Sequence, residues 1–377
     1  MQPVGSNRKM ENQTLLQKYQ LADLELKNRM IMAPMTRSRS DNLGNVATEL
    51  TARYYEQRAT AGLIISEGTY VSKDAVGFIN VPGIFTPEQT EGWKLVTDAV
   101  HAKGGKIFAQ LWHVGRLSHP VLHEGRLPLA PSALNPFDKA YTHEGFADTV
   151  VPREMTLEDI QQTILDFKNA ADNAIKAGFD GVELHAANGY LLHQFFNIYS
   201  NRRSDEYGGA IENRARILFD ILDAMKDVIP MNRVGVRLNP SLHGTQGMMI
   251  DEESIAVHEY IVNKLNEYGL SYLHLTEPFT PVENVPYAVK EVAKHFRPLY
   301  SGTLMINKGF TRETGNQVID NGEADLVAYG VPFLANPDLV ERFAVDAPLN
   351  TPDYDTFYAT GPKGYIDYPT LAEVDLN

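Results

Sequence analysis

Three polar side chains follow one another closely in the stretch VELHAANGYLLHQFF, residues 182–196, where a strand-like alternation gives way to glycine. If the loop takes a helical turn, His185 and Asn188 share one face and together bind a single oxygen atom. Tyr190 then presents a phenol, a weak acid with a pKa of about 10 that can still protonate a developing carbanion or enolate. The set favours polarisation of a carbonyl group followed by proton transfer. It fits equally well a structural core histidine beside an amphipathic tyrosine.

Polar side chains also stand at the ends of seven other apolar runs. Hydrogen-bond donors predominate among them, and the sequence offers no facing pair of carboxylates and no catalytic triad. His113, His185 and His193 match no metal-ligand spacing, so no metal site is predicted. Donors of this kind suit a polar, electron-rich ring system. The residues are Thr36, Arg37, Glu67, Gln110, Trp112, His113, Arg237, Asn239, His274, Glu277, Asn307, Lys308, Tyr329 and Gly330.

Two carboxylates in this set keep a second kind of chemistry open. A hydrolase or lyase would use Glu67 or Glu277 together with His185 as its acid and base. Each carboxylate can equally pair with a buried arginine. The residues alone therefore do not decide between these two readings.

Two further stretches, MINKGFT and AYGVPFLANPD, place a glycine directly after an apolar run. In barrel proteins a phosphate is often held by the loops after the last two strands, where free backbone N–H groups point at the anion. Gly309 and Gly330 would let the backbone approach closely, and Lys308 would add a positive charge. Ordinary turn formation explains the same glycines, so a phosphate site here is one of two interpretations.

These side chains need a scaffold that brings the ends of separate strands together. Short apolar runs alternate with longer amphipathic stretches at intervals of about 40 residues, a pattern typical of repeated βα units around a parallel sheet. Eight parallel strands most economically close, so the predicted fold is α/β, a single (β/α)8 TIM barrel, with the polar ends on one face. The predicted strands are 29–36, 62–71, 106–113, 181–186, 234–240, 270–277, 299–307 and 324–330.

Helices are predicted between these strands, and one connection is unusually long. Thr156 and Asp159 fit the amino-terminal capping pattern of a helix that Gly178 ends. The connection over 114–155 is too long for a plain βα loop, so we expect an excursion that covers the barrel mouth. A shorter excursion is expected at 241–251.

The composition narrows the function classes. The 377 residues carry a formal net charge of −14, which disfavours nucleic acid and anionic membranes as partners, and leaves small molecules. The chain has no cysteine, which excludes disulfides and thiolate ligands and is compatible with a reducing cytoplasm. No apolar run approaches the roughly 20 residues that span a bilayer. Residues 1–14 are expected to form a polar extension before a barrel over 15–377, in a cytoplasmic monomer or homodimer.

With these residues assembled, the chain resembles the old yellow enzyme family of FMN-dependent ene-reductases from about residue 15 to about residue 370. Each matching motif is weak by itself, but their order and their positions at predicted strand ends make the likeness specific. The motifs are APMTR (33–37), AQLWHVGR (109–116), HAANGYLLHQF (185–195), SNRRSDEYGG (200–209), ENR (212–214), GVRLNP (235–240), ANPDL (335–339) and KGYIDYP (363–369).

The resemblance implies FMN at the carboxyl face of the barrel. Thr36 matches the hydroxyl that bonds the flavin C4 oxygen, and Gln110 and Arg237 match residues at the pyrimidine side. A cation at that edge would stabilise an anionic reduced flavin. The full set of cofactor-binding residues expected is Ala33, Pro34, Met35, Thr36, Gln110, Arg237, Asn307, Lys308, Gly309, Tyr329 and Gly330.

The resemblance also assigns the substrate side. His185 and Asn188 match the pair that binds the substrate carbonyl, Tyr190 matches the proton donor, and Trp112 and Tyr365 match aromatic residues of the pocket. The implied activity is reduction of the C=C bond of α,β-unsaturated carbonyl compounds by hydride from flavin N5, with NADPH or NADH as reductant and ping-pong kinetics. Nitroalkenes, nitrate esters and nitroaromatics are further substrate classes of the family. The alternative is a flavin-free barrel hydrolase or lyase.

One position departs from the family pattern. Many relatives have an arginine directly after the glycine of the eighth strand, where it pairs with the FMN phosphate, but this chain has Val331. The expected guanidinium is therefore missing. We expect backbone N–H groups around Gly309 and Gly330, with Lys308, to hold the phosphate instead.

Overall fold

The computed structural model describes residues 13–374, and its centre is a closed barrel of eight parallel strands. All eight predicted strands are present, and the predicted TIM barrel is confirmed. Every strand residue is buried, because helices cover the outside and side chains fill the inside. The strands are β1 (Met30–Met32), β2 (Leu63–Tyr70), β3 (Ile107–Trp112), β4 (Gly181–His185), β5 (Val234–Leu238), β6 (Tyr272–Thr276), β7 (Leu304–Asn307) and β8 (Leu326–Tyr329).

The barrel closes because β8 pairs with β1, where Val327 lies opposite Met30. All neighbouring strands run parallel, so their carboxyl ends meet on one face. The pairing of β2 with β3 is interrupted by a bulge between Ile65 and Gly68. A side chain at Gly68 would collide with the Trp112 ring, because its Cβ would lie 2.5 Å from that ring.

Alternation along each strand divides the core into two parts. In β3, Phe108 belongs to the cluster inside the barrel, whereas Ala109 and Leu111 pack against the helices. An N-terminal hairpin, Tyr19–Leu21 with Leu24–Leu26, adds its leucines to the inner cluster and closes the amino end of the barrel. Only the carboxyl face is left for a ligand.

Helices surround the barrel, and their ends follow the predicted signals. Thr156 caps α3 by accepting from the Asp159 backbone N–H, and Gly178 follows its end with a φ of 88°. The helices are α1 (Glu49–Glu56), α2 (Pro87–Ala102), α3 (Leu157–Lys176), α4 (Leu191–Phe196), α5 (Ile211–Met225), α6 (Ser254–Leu265), α7 (Val292–Phe296), α8 (Arg312–Asp320), α9 (Val331–Ala335), α10 (Leu339–Val345) and α11 (Leu371–Val374).

The long connection after β3 forms the predicted excursion. It contains a short parallel pair, Leu129–Ala130 with Arg153–Glu154, and an antiparallel hairpin, Lys139–Thr142 with Gly145–Asp148. We call the second pair the mouth hairpin, since its Tyr141 and Phe146 line the cavity described below.

All eight strands are shorter than predicted, six of them by one or two residues at an end. β1, predicted over 29–36, ends at Met32 shortly before Pro34, which has no N–H to donate to the strand ladder. We predicted a strand over 299–307, but β7 begins at Leu304 because Arg297 donates to the carbonyl oxygens of Tyr300 and Gly302 and holds that stretch in a turn. Of the predicted extension over 1–14, residues 1–12 lie outside the described part of the chain. Within residues 13–374, no helix combines the length and apolar character needed to cross a membrane.

Candidate active site

The loop after β4 brings the predicted substrate-binding residues together, although not by a helical turn. Asn188 and Gly189 both have left-handed backbone, with φ of 55° and 73°. Asparagine and glycine are the residues that tolerate this conformation best. The reversal places Tyr190 at the start of α4, and the backbone N–H of Gly189 donates to His193 Nδ1 at 3.1 Å.

Three aromatic rings form one wall at this end of the barrel. Trp112 and His185 stack with ring centroids 6.0 Å apart, and Tyr190 meets both rings edge-on at 4.8 and 5.0 Å. Trp112 and His185 share an interior-facing register, since β3 and β4 pair in parallel. The predicted grouping of these three residues is therefore present in the fold.

Burial fixes the protonation states of this wall. It lowers the pKa of His185 well below its ordinary value, with the positive charge of Arg237 as the next cause, so the ring is neutral near pH 7. Burial also raises the pKa of Tyr190, so its phenol keeps its proton. His185 Nδ1 and Trp112 Nε1 are buried and have no hydrogen-bond partner among residues 13–374.

A neighbouring amide sets the orientation of Asn188. Asn239, which lies just beyond β5 and is fully buried, donates from Nδ2 to Asn188 Oδ1 at 2.9 Å. Because its oxygen is engaged, Asn188 is left with its NH2 group to offer to a ligand.

The predicted flavin side of the site is a buried polar network inside the barrel. Gln110 Nε2 donates to Glu183 Oε1 at 2.8 Å, and His274 Nδ1 lies 2.8 Å from Glu183 Oε2. Arg237 donates to Asn307 Oδ1 at 3.0 Å, and Asn307 donates to the carbonyl oxygen of Ala328. Three different strands thus contribute Gln110, Arg237 and Asn307 to one polar layer inside the barrel.

Glu183 is the central residue of this network, and sequence reasoning missed it. Its side chain is fully buried, yet its pKa is lowered, because the charges of His274 and Arg237 and hydrogen bonds from His274 and Gln110 outweigh the upward effect of burial. The available signal was periodicity: Glu183 and His185 are two apart in one strand and therefore face the same side.

The segment after β1 adds a third wall. Ala33 donates its N–H to the carbonyl oxygen of Tyr329 at 3.0 Å, which ties this segment to β8. Thr36 and Ser38 line the cavity, and Ser38 has a φ of 55° and a buried hydroxyl without a partner among residues 13–374. Pro34 and Met35 are half-buried between these points.

The two carboxylates of the alternative function serve the fold. Glu67 accepts the N–H of Arg37 at 3.1 Å and so holds the turn after β1, while burial raises its pKa to about 7. Glu277 accepts the N–H groups of Val292 and Ala293 and caps α7. Neither carboxylate forms a hydrogen bond or ion pair with His185 in the part of the chain that the structure describes.

Of the predicted site residues, the cavity lining includes Thr36, Trp112 and Tyr190. Among the others, Tyr329 and Tyr365 have their side chains packed elsewhere. Tyr329 points outward, where its hydroxyl donates to the carbonyl oxygen of Thr311, because Ala328 before it takes the inward position. Tyr365 is fully buried and stacks on Tyr54 with ring centroids 4.1 Å apart. Cofactor binding by Tyr329 stays a prediction, as does a place for Tyr365 in the substrate pocket.

A cavity of about 640 Å³ opens at this face. Its walls come from the segment after β1, the end of β3, Tyr190, the mouth hairpin and a C-terminal segment over 354–359. That C-terminal segment is held by buried arginines, since Arg39 donates to the carbonyl oxygens of Thr356 and Phe357 and Arg37 donates to that of Gly364.

The predicted phosphate region lies after β7 and β8. Lys308 and Gly309 are exposed and have positive φ values of 90° and 82°, and a Cβ on Gly309 would meet no atom within 4 Å. Lys308 Nζ lies 5.2 Å from the centre of the Phe279 ring. The space above Gly309 is open to a ligand.

The unpaired polar atoms at this face fit a planar, polar cofactor. Trp112 Nε1, His185 Nδ1, Arg237 Nε and Ser38 Oγ are buried without partners among residues 13–374. An unsatisfied buried group costs about 1–3 kcal/mol, which a bound group removes by completing the hydrogen bond. No group of three or more metal-ligating side chains occurs in the same described part of the chain.

Comparison with known proteins decides the family. Residues 14–350 match the model of the NADH:flavin oxidoreductase / NADH oxidase family. The chain belongs to this flavin oxidoreductase family. It is therefore an FMN-dependent NAD(P)H oxidoreductase of the old yellow enzyme type, and the flavin-free alternative is wrong.

Relatives of this flavin oxidoreductase cover nearly the whole chain. Putative 12-oxophytodienoate reductase 4 of Oryza sativa subsp. japonica is 44% identical over 96% of this chain and 94% of its own length. Among solved structures, morphinone reductase in complex with tetrahydroNAD is 43% identical, with a TM-score of 0.88 and coverage of 96% and 98%. An old yellow enzyme homologue from Zymomonas mobilis is 39% identical, with a TM-score of 0.90 and coverage of 95% and 100%.

Proposed function

We propose that this flavin oxidoreductase reduces the C=C bond of α,β-unsaturated carbonyl compounds. The observation that carries the proposal is the meeting of His185 and Tyr190 beside Trp112, with an unpaired His185 Nδ1 and, three residues after His185, an Asn188 amide oriented by Asn239. The names of two relatives, 12-oxophytodienoate reductase and morphinone reductase, denote reductases of carbonyl compounds. Both names agree with the carbonyl chemistry that these residues favour.

His185 and Asn188 bind the substrate carbonyl oxygen in this proposal. A neutral imidazole donates one N–H, and the Asn188 amide donates a second because its own oxygen accepts from Asn239. Two donors on one oxygen draw electron density from the conjugated C=C bond and make its far carbon electrophilic. A charged imidazole is not required for this role.

Tyr190 supplies the proton. Burial raises the pKa of its phenol, so the group is protonated at neutral pH and can give its proton to the carbon next to the carbonyl as negative charge develops there. The edge-on contact with His185 keeps the phenol close to the residue that binds the carbonyl.

Gln110, Arg237 and Thr36 would hold FMN, which when bound would supply hydride transfer from NADH or NADPH to the substrate. Glu183 engages the NH2 group of Gln110, so the Gln110 oxygen is the atom left to accept from a ring N–H. Arg237 brings a buried positive charge and an unpaired Nε. The backbone around Gly309 and Gly330 and the ammonium of Lys308 would hold the phosphate, since Val331 stands where the old yellow enzyme pattern implies an arginine.

Substitution of Tyr190 tests the proposal. Protein saturated with FMN is reduced anaerobically with NADH and then mixed with 2-cyclohexenone in a stopped-flow instrument. We expect Tyr190→Phe to slow reoxidation by the enone about 100-fold or more, since general acid catalysis contributes roughly that much. Reduction by NADH stays within about twofold, because that step uses no acid.

Tyr199→Phe is the matched control, since this tyrosine is half-exposed and lies outside the cavity. Wild-type protein that reduces no enone would refute the substrate class. Equal loss of both half-reactions in Tyr190→Phe would refute the role of Tyr190 as proton donor.

A further inference from the structure

The outer part of the cavity is lined by aromatic side chains from two segments. Tyr141 and Phe146 come from the mouth hairpin, and Tyr354 and Tyr358 come from the C-terminal segment. Phe146 is 73% exposed and Tyr354 is 67% exposed, although both belong to a cavity wall. Exposed aromatic groups at a cavity mouth provide contact for the part of a substrate that extends beyond its reacting carbonyl.

The charge in the outer part of the cavity is negative. Asp355 is the single charged side chain among the described residues that line the cavity, and the lining includes no lysine, arginine or histidine. Its carboxylate is exposed on the C-terminal segment between Tyr354 and Tyr358. A ligand that fills the cavity therefore meets a negative charge and no positive one at its outer end.

The mouth hairpin adds negative charge near the cavity. It begins after Asp138 and carries Asp148, whose partner is Lys139, so the one lysine of the hairpin is neutralised by an ion pair. Burial is the main cause of the raised pKa of Tyr190. The negative charge of Asp138 makes a small contribution in the same direction, which the positive charge of Arg237 outweighs.

Two arginines beneath the C-terminal segment are turned away from the mouth. Arg37 and Arg39 are at most 2% exposed and lie beneath that segment. Their guanidinium groups donate to backbone carbonyl oxygens, including those of Thr356, Phe357 and Gly364. These contacts hold the C-terminal wall of the cavity in place and do not present a positive charge to a ligand.

Ser38 adds a neutral hydrogen-bonding group to the same cavity. Its hydroxyl is buried, lines the cavity and has no partner among residues 13–374. Its left-handed backbone is held on one side by Arg37, whose N–H donates to Glu67. An unpaired hydroxyl in a built turn points to a polar group on the ligand.

We propose that this cavity selects enones whose far end is neutral, donates a hydrogen bond or is cationic, and discriminates against enones whose far end is a carboxylate. The proposal rests on the proposed enone reductase function and adds a substrate class to it. Asp355 and Asp138 repel an anion, whereas the aromatic rings and Asp355 both favour an ammonium group. The Ser38 hydroxyl oxygen accepts a hydrogen bond from a hydroxyl or ammonium group of the ligand.

The test is binding of matched ligands that do not react. Four para-substituted phenols carry tails of one length that end in methyl, hydroxyl, ammonium or carboxylate. Dissociation constants for the FMN-loaded protein are measured at low ionic strength from quenching of tryptophan fluorescence, since Trp112 lines the cavity. We expect the carboxylate ligand to bind about fivefold more weakly than the hydroxyl ligand, as suits partly exposed charges.

Four variants assign the effect. We expect Asp355→Asn to reduce the difference in affinity between the hydroxyl and carboxylate ligands at least by half. Asp355→Lys is expected to make the carboxylate ligand bind more tightly than the hydroxyl ligand. Asp98→Asn, on the outer helix α2, is expected to leave the difference unchanged. Ser38→Ala is expected to abolish the preference for hydroxyl over methyl. Equal binding of the carboxylate and hydroxyl ligands by wild type, or an unchanged ratio in both Asp355 variants, would overturn the proposal.

Turnover separates this proposal from the function on which it rests. Reduction of 2-cyclohexenone, which has no tail, reports the proposed reaction alone. Phenol binding reports charge selection whether or not an enone is reduced. Loss of the first with retention of the second would refute the enone reductase function and leave a cavity that prefers neutral and cationic ligands.

Discussion

Side-chain amides in this site acquire their direction from a neighbour. An amide has a donor end and an acceptor end of similar shape, and it is useful to a ligand only if one end is fixed. Asn239 fixes Asn188 by donating to its oxygen, and Glu183 fixes Gln110 by accepting from its nitrogen. The two partners are opposite in kind, so one amide offers N–H groups and the other offers an oxygen.

Glu183 also affects charge, which leads to a prediction. Its carboxylate partly offsets the positive charge of Arg237, whose pKa burial lowers and Glu183 raises. Glu183→Gln removes the negative charge, so we expect reduced FMN to be stabilised and the midpoint potential to rise. A tenfold shift of the equilibrium corresponds to about 30 mV for two electrons. Spectroscopic redox titration measures it.

The control for this prediction is Glu259→Gln. Glu259 makes a similar contact at 2.8 Å with His295, but on the outside of the barrel, where both side chains are partly exposed. We expect its midpoint potential to equal that of wild type. An unchanged potential in Glu183→Gln would show that Glu183 only supports the fold.

Sequence patterns predicted some of these residues and not others for a physical reason. His185 stands at a strand end followed by glycine, a position that signals a site. Glu183 sits inside an apolar strand, where only the two-residue period reveals that it faces the same side as His185. The partner of a buried carboxylate depends on neighbouring strands, and no local pattern encodes His274 opposite Glu183.

Among the elements, the eight strands were predictable and the loops between them were not. Parallel strands are buried on both faces, so they appear as apolar runs that stand out from amphipathic helices. A loop conformation depends on contacts with distant residues, as for the stretch before β7, where Arg297 imposes a turn. The helical turn expected around Asn188 is replaced by left-handed backbone for the same kind of reason.

The loop after β7 yields a prediction about cofactor binding. Lys308 has a φ of 90°, a conformation that costs an L-residue about 1–2 kcal/mol and costs glycine little. We expect Lys308→Gly to raise the unfolding free energy of the apoprotein by about 1 kcal/mol or less, and to weaken FMN binding about threefold by loss of the charge. Urea unfolding and FMN fluorescence titration measure the two effects separately.

Two further variants complete this experiment. Lys308→Ala removes the charge but keeps the strain, so it should weaken FMN binding equally without the gain in stability. Lys290→Ala removes another lysine from the same groove and should change neither quantity. FMN binding equal to wild type in both Lys308 variants would exclude Lys308 from the phosphate site.

At the scale of the whole molecule, several histidines of the described residues are buried and neutral. Burial lowers the pKa of His113 to about 3 and that of His258 to about 4, and lowers those of His185 and His193 well below the ordinary value. The unfolded chain protonates these rings near pH 6.5 and the folded protein does not. Below that pH the unfolded state binds more protons, so acid favours unfolding.

This linkage predicts acid-labile folding. Each such histidine contributes up to about 1.4 kcal/mol of lost unfolding free energy per pH unit below pH 6.5. Glu67 acts in the opposite direction, since its pKa is raised to about 7 by burial and the folded protein holds its proton more tightly. Burial also lowers the pKa of His123 and of His274, and raises those of Glu277, Asp166 and Asp220. Because the ordinary pKa of histidine lies within this range and that of a carboxyl group lies below it, we expect the free energy of unfolding, measured with urea, to fall by several kcal/mol between pH 7.5 and 5.5.

Single substitutions identify the groups responsible. His258→Gln removes one buried ring and is expected to make the pH dependence shallower. His143→Gln alters an exposed histidine in the turn of the mouth hairpin and is expected to leave it unchanged. Equal stability of the wild type at the two pH values would contradict the buried, neutral state assigned to these rings.

The arginine contacts to the C-terminal segment can form only late in biosynthesis. Arg39 donates to the carbonyl oxygen of a residue 317 positions later in the chain. A ribosome delivers residues from the amino end at about 5–20 per second, so those guanidinium groups wait tens of seconds for their acceptors. Near the end of that interval, after Tyr329 of β8 and before Thr356, the nascent protein has all eight strands but lacks one cavity wall. Ligand selection by that wall begins only after translation has passed it.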